Sequence, residues 1–448
     1  MNIAMRAIAL LLLPSSLVLA QNAPAQTTLP LSLKRAVEIA QTPEGSTRVA
    51  LAQESIKQFE DRVVQARSAF LPNVDGSVQE RNQTTNLKTF GLNFQLPFAG
   101  FSFPSLAGPF TVFDARATVQ QSVFSFADIK KYQAARAALL ASKADLGSTR
   151  DQVSEQVARA YLACLRADFA LETSKANVDL SNALVKLSNS EKTAGTGTGI
   201  EVTRAQVQLA NDRQRQIVAD NDRRRAELQL LRTMNLNLDV TVQFTDKLSV
   251  TPVDVKTLED SLKDARSQRA ELHAQQQHEQ TARLNYDAVA AERLPSVAAF
   301  GDYGDIGLQI NSSRPTREYG VSVKIPLFDG FRRDSRRSES LSQYQSEKIR
   351  TRDLGQQVEL EVRLALDSLR SAQAQVDTAL EGLTLAQNEL AQAQRRYQAG
   401  VTNSIEVTDA QTRLDRARDN QIAALYNYNL ARIDLAAATG TISEYVNQ

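Results

Sequence analysis

From Val362 to Tyr397 an apolar residue returns at every seventh position: Val362, Leu369, Val376, Leu383, Leu390 and Tyr397. Ala365, Ala372, Ala379, Ala386 and Ala393 each follow three positions after the first five. A sustained seven-residue repeat commits a helix to a left-handed supercoil, and alanine at alternate core positions lets the partner axis come close. A partner follows directly. Val407, Leu414, Gln421, Tyr428 and Leu435 keep the spacing, as do Ala410, Ala417, Ala424, Ala431 and Ala438. At 1.5 Å per residue the first of these helices is roughly 100 Å long. Such a helix is a strut or a tube wall and a poor scaffold for an enzyme.

The pattern occurs twice. Moving the second half back by 205 positions sets Ala399-Gly400 on Ala194-Gly195 and Ile405-Glu406-Val407-Thr408 on Ile200-Glu201-Val202-Thr203, with 10 of 22 residues identical from 192 to 213. The first copy carries its heptad as Val157, Cys164, Leu171, Val178 and Val185, with Ala160, Ala167, Ser174, Ser181 and Ser188. A second anchor, Leu71-Pro72-Asn73-Val74 against Leu294-Pro295-Ser296-Val297, has an offset of 223, so the first copy holds 223 − 205 = 18 extra residues. They fall in the Phe-, Gly- and Pro-rich stretch after Arg81, a composition that predicts a loop.

Four segments alternate with period two: Asn73–Arg81, Val112–Phe124, Ser296–Gly307 and Glu318–Leu327. In the last, Tyr319, Val321, Val323 and Ile325 alternate with Gly320, Ser322 and Lys324. One apolar and one polar face suit a membrane barrel with a wet lumen, and also a half-buried soluble sheet. Four strands cannot close a barrel, for which about eight is the minimum. Three chains pooled would supply twelve.

Composition narrows the setting. Arg6, the apolar run Ala7–Leu13 and the small residue Ala20 read as a secretory signal over residues 1–20. Beyond it no run approaches the roughly 20 apolar residues of a membrane helix, so entry into a bilayer would have to be as strands. A net charge of +1, from 52 basic and 51 acidic residues, gives no case for nucleic acid. Cys164, the sole cysteine, falls on the heptad and is expected to pack as a small hydrophobe. His273 and His278, five apart on one predicted helix, read as solvated surface residues rather than metal ligands. No cofactor, metal or catalytic constellation is visible. The organisation expected is a signal at 1–20, a first repeat at 21–240 and a second at 241–448. The first holds a β-hairpin at about 73–124 and a helical hairpin at about 127–236. The second holds a linker and helix, a β-hairpin at about 296–327 and a helical hairpin at about 332–438.

The chain resembles the TolC family of outer-membrane efflux proteins over essentially the whole of this span. The resemblance rests on LSLKRAVEIA at Leu31–Ala40, the ARSAFLPNV and AERLPSV junctions, VKIPLFDGFRRD at Val323–Asp334, and RRYQAGVTNSIEVTDAQTRLDRA at Arg395–Ala417. It implies a mainly α fold with β: a homotrimeric outer-membrane β-barrel, four strands per chain, continued by a long periplasmic coiled-coil barrel. It also implies a passive duct for a tripartite efflux pump or type I secretion system. The partners would be a periplasmic adaptor, an inner-membrane pump of RND, ABC or MFS type, and outer-membrane lipid. Residue by residue, it places a periplasmic gate at Glu406, Asp409 and Tyr397, although a partnering arginine of the family's best-known member is Thr402 here. It places adaptor-docking tips at Ala194, Gly195 and Thr196 and at Ala399, Gly400 and Val401. The Phe90–Phe110 loop would lie at the extracellular mouth. A periplasmic coiled-coil adaptor or tether that never enters a membrane stands as the alternative.

Overall fold

The computed structural model describes residues 28–91, 105–250 and 257–447. The signal expected at 1–20 and the greater part of the Phe90–Phe110 loop lie outside them. Two helices dominate: α3 (Phe126–Thr193) of 68 residues and α7 (Arg332–Gln398) of 67. Each turns back at its far end into a helix half as long, α4 (Gly199–Thr233) and α8 (Ser404–Thr439). The near halves of α3 and α7 are covered by α2 (Thr47–Ser68) and α6 (Ala270–Ala291). The heptad residues form the seams. Val157, Cys164, Leu171, Val362, Leu369, Val376, Leu390, Val407, Leu414 and Tyr428 are all buried, as are most of their alanine partners. Burial pushes the Cys164 thiol up to about 12, which suits an inert packing residue.

Contacts order the helices laterally. α6 and α8 lie between α3 and α7, while α2 and α4 pack on the other side of α3. The β-strands repeat that order. β2 (Asn73–Asn86), β3 (Leu106–Phe124), β5 (Ser296–Gly307) and β6 (Arg314–Lys324) form one antiparallel sheet in the sequence β2-β3-β5-β6. Each strand runs directly into or out of its own helix, so four strands stand on four helical columns. One edge of the whole object is β2, α2 and α4, and the other is β6 and α7.

Register sorts the side chains. Val74 faces Val119, Val119 faces Gly301 and Gly301 faces Tyr319, while Val78 faces Ala115 and Val297 faces Val323. These residues share one apolar face, and Val78, Tyr319, Val321 and Val323 on it are exposed. The opposite face is mainly polar, interrupted by Val112, Phe300 and Ile306.

The first hairpin is longer than its composition predicts. Asn82–Asn86 and Leu106–Phe110, expected as loop, continue the β2–β3 ladder across one register shift. The reason is local. β5 ends opposite Phe113, so beyond that point β3 has a single neighbour, and Pro109 sits at an edge where a missing N–H costs no second ladder bond. The last strand starts at Arg314, four residues before the expected Glu318, and ends at Lys324.

A compact cluster at mid-height has no counterpart in the pattern reading. Parallel strands β1 (Thr28–Leu31) and β4 (Thr241–Phe244), with α1 (Leu33–Ala40) and α9 (Ile442–Asn447), pack against the middle of α3. Their core joins Leu31, Val37, Val157, Tyr161, Leu230, Met234 and Ile442. The buried Tyr161 hydroxyl lies 3.0 Å from the Leu31 carbonyl and 2.9 Å from the Asp246 carboxylate, which also accepts the Leu33 N–H at 2.8 Å. This phenol ties the N-terminal strand to the long helix. Tyr161→Phe is expected to cost about 1–3 kcal/mol by removing the hydroxyl that donates to the Leu31 carbonyl and the charged Asp246 carboxylate. Chemical denaturation checks this, and an unchanged midpoint would contradict it.

Candidate functional site

Both helical hairpins close with the same turn. Gly195 (φ +81°) and Gly400 (φ +69°) take the left-handed conformation that follows a helix C-terminus. Thr196 N–H donates to Glu191 O at 3.0 Å, and Val401 N–H to Arg396 O at 3.0 Å, closing six-residue loops that satisfy the last carbonyls. Ala194, Gly195, Thr196, Ala399, Gly400 and Val401 are all exposed at these ends. The return helices are capped differently. Glu201 accepts from Thr198 N–H at 2.8 Å, whereas Asn403 accepts from Ile405 N–H at 3.1 Å.

The acidic pair expected at the gate divides. Glu406 is held within its own hairpin by Arg396 at 3.1 Å and by Thr402 Oγ1 at 2.5 Å. Thr402 thus engages Glu406 with its hydroxyl. Asp409, one turn further along α8, is exposed. Of the two, Asp409 is the one with no intrachain ion pair among the described residues. Tyr397 is buried on the heptad seam, its hydroxyl packed against Ser188 and Glu191 of α3 without a hydrogen bond of good geometry. Burial, with Glu191 alongside, pushes that hydroxyl up to about 12. Tyr397 therefore bridges the two hairpins chiefly by packing.

A buried polar clamp lies deeper between the hairpins. Asp212 of α4 accepts from Ser181 of α3, from Gln208 at 3.3 Å and from Arg215 at 3.3 Å. Arg215 reaches across to Asp415 of α8 at 3.1 Å, and Gln411 of α8 donates to Ser181 at 2.7 Å. Arg418 pairs with Asn177, fastening α8 to α3 again. Asp212 and Asp415 are almost fully buried, and one carboxylate oxygen of Asp415 has no partner. The sequence reading missed this clamp. Its signal is a Gln-x-x-x-Asp pair, Gln208/Asp212 and Gln411/Asp415, placed on the return helix of each copy.

On the sheet's polar face Asp75, Thr118, Asp302 and Glu318 stand in one row across all four strands. Asp302 and Glu318 face each other directly, a repulsive cross-strand pair. Arg116 relieves it by binding Asp302 at 3.1 Å and Asp114 at 2.8 Å. Gly304 makes the room, because a Cβ there would lie 2.3 Å from that of Arg116. The histidines separate: His273 is exposed, while His278, expected on the open surface, is half-buried and joins α6 to α3 through Asp145 at 3.0 Å.

An antiparallel sheet with an exposed apolar face, a polar face and two open edges, mounted on roughly 100 Å helices, defines a channel subunit. The chain belongs to the outer membrane efflux protein family, whose model matches residues 39–236 and 261–441. It is 24% identical over 313 residues to the outer membrane protein TolC of Vibrio cholerae, covering 66% of this chain and 69% of that protein. It is 24% identical over 319 residues to the protein CyaE of Bordetella pertussis, covering 68% and 67%. The outer membrane channel CmeC of Campylobacter jejuni superposes with a TM-score of 0.78 at 15% identity, covering 93% of this chain and 88% of that one. The chain is an outer-membrane channel subunit that extends into the periplasm.

Burial, then the neighbouring Asp212 charge, raises Asp415 to about 6 despite Arg215. A carboxyl held above its ordinary value stabilises the packed state at low pH and loses that contribution as pH rises from about 4 to about 6. Asp415→Asn should remove this component of the pH dependence. It should leave the hairpins at least as stable as wild type near pH 7.5, where the buried charge is a cost. Denaturation midpoints compared at about pH 5 and about pH 7.5 test this, and an identical pH slope in both proteins would contradict it.

Proposed function

We propose that three copies of this chain close their sheets into a twelve-stranded barrel in the outer membrane and their helices into one periplasmic tube. The coincidence of edges carries the reading. β2, α2 and α4 end the protomer on one side, β6 and α7 on the other, so one rotation joins both layers at once. Apolar side chains wait along those edges, with Val207, Ile217 and Val218 exposed on α4 and Leu360, Leu364 and Leu385 on α7.

The assembled tube acts as a passive exit duct with no chemistry of its own. The exposed tips at Ala194–Thr196 and Ala399–Val401 dock a periplasmic adaptor, which couples the duct to an inner-membrane pump of RND, ABC or MFS type. Glu406, Asp409 and Tyr397 form the periplasmic gate in unequal roles. Tyr397 packs one hairpin on the other, Glu406 fastens its own hairpin through Arg396, and Asp409 presents a ring of three charges to the pore. The alternative, an adaptor or tether outside the membrane, leaves the exposed apolar face of the sheet without a solvent that suits it.

Planar-bilayer recording tests the reading. Wild-type protein should form discrete channels blocked by divalent cations, and Asp409→Asn should relieve that block more than Glu406→Gln does. Absence of channels would contradict the duct, and equal block in all three proteins would remove these acids from the pore.

A further inference from the structure

The turn from β6 into α7 breaks local rules that its counterpart in the first repeat obeys. Arg332, Arg333, Arg336 and Arg337 fill four of the first six positions of α7, where the helix dipole favours acids and only Asp334 is one. The residue before them, Phe331, has φ +64°. That left-handed conformation is an outlier for a bulky side chain and marks stored strain. The turn into α3 has neither feature. Ser125 caps it by accepting the Asp128 N–H at 3.2 Å, and its lysines Lys130 and Lys131 are matched by Asp287 and Asp128. The geometry of a strand-to-helix junction therefore does not require the arginines.

What the strained turn presents is apolar. Leu327 is 92% exposed, Phe328 78% and Phe331 68%, and the two rings meet edge to face at 5.6 Å. They extend the exposed alternation Tyr319, Val321, Val323 and Ile325 on the apolar face of the sheet. The arginines begin where that surface ends. Asp329 takes Arg333 at 3.5 Å, Glu292 takes Arg336 at 2.8 Å, and Asp334 pairs with Arg293. Arg337 donates to the Tyr286 hydroxyl at 3.2 Å, and Arg332, 74% exposed, approaches Asp329 only to 3.9 Å. Arg337 thus meets a hydroxyl rather than a carboxylate, and Arg332 shares Asp329 with Arg333 at the longer distance.

We propose that this collar binds the phosphate headgroups of anionic phospholipids in the periplasmic leaflet, an inference that rests on the barrel reading above. Phe328, Phe331 and Leu327 sit at the acyl boundary as an aromatic girdle does. Arg332 and Arg337 lie just beyond it, where a planar fork can grip phosphate through two parallel hydrogen bonds. Bound phosphate would add to the negative charge that Asp329 and Asp334 already place at the N-terminus of α7.

The test uses the purified full-length chain in detergent, exposed to phosphatidylglycerol or phosphatidylcholine and weighed by native mass spectrometry. Wild-type oligomer should retain phosphatidylglycerol over phosphatidylcholine. The double variant Arg332→Gln/Arg337→Gln should lose roughly threefold or more of that retention with the oligomer intact. Arg204→Gln, a charge removed at the far tip, should change nothing. Equal retention of the two lipids by an intact oligomer, or unchanged phosphatidylglycerol binding in the double variant, would overturn the lipid site alone. Dissociation of the double variant would place the arginines in a subunit contact and overturn it too. A wild-type chain that is monomeric before lipid is added would overturn the barrel reading and this inference together.

Discussion

An open β-sheet edge cannot lie in hydrocarbon, because every unpaired N–H and C=O there costs several kcal/mol. β2 and β6 each leave such an edge, and the sheet between them carries an exposed apolar face. A lone copy therefore satisfies neither water nor lipid. Closure by further copies of the same chain answers both demands, and the rest of the structure is arranged to permit it. The helices repeat the lateral order of the strands, so a subunit that pairs β6 with a neighbouring β2 also brings α7 against the neighbour's α2 and α4. Burying six or seven exposed leucine, isoleucine and valine side chains along one seam is worth roughly 10–20 kcal/mol. That matches or exceeds the roughly 4–15 kcal/mol that association costs in lost freedom.

In the proposed gate the two hairpins divide the work. The tips share one glycine turn and differ in electrostatics, with Glu201 spent on its own helix cap and Glu406 on Arg396. The hairpins meet through Tyr397 near the tips and through the Asp212–Arg215–Asp415 clamp further up. A clamp with two carboxylates on one arginine is poorly balanced by design of its charges. It holds α8 to α4 more weakly at neutral pH than an apolar seam would, which suits helices that have to part.

Much of this was legible in the residues. The seven-residue spacing marks the buried seams of both helical hairpins, and the period-two segments fall on the four strands, although β2, β3 and β6 have other ends. Three things were not. The β1–β4 pair joins residues some 213 positions apart through four-residue strands, too short for any periodicity to register. The extra length of the first hairpin was hidden by Gly and Pro, which signal turns unless a strand is known to lose its second neighbour there. The proposed gate rests on the resemblance, which could not foresee that Arg396 and Thr402 would claim Glu406. That depends on side chains meeting across a turn, which spacing alone does not encode.

Closure is the claim on which everything else stands, and edge-to-edge cross-linking addresses it most directly. With Cys164 replaced by alanine, cysteines at Val78 on β2 and Val321 on β6 can be joined by a flexible bismaleimide in outer-membrane fractions. A ring of three predicts covalent dimers and trimers and a ladder that stops there. A ladder that continues beyond three, or none at all, would contradict the account.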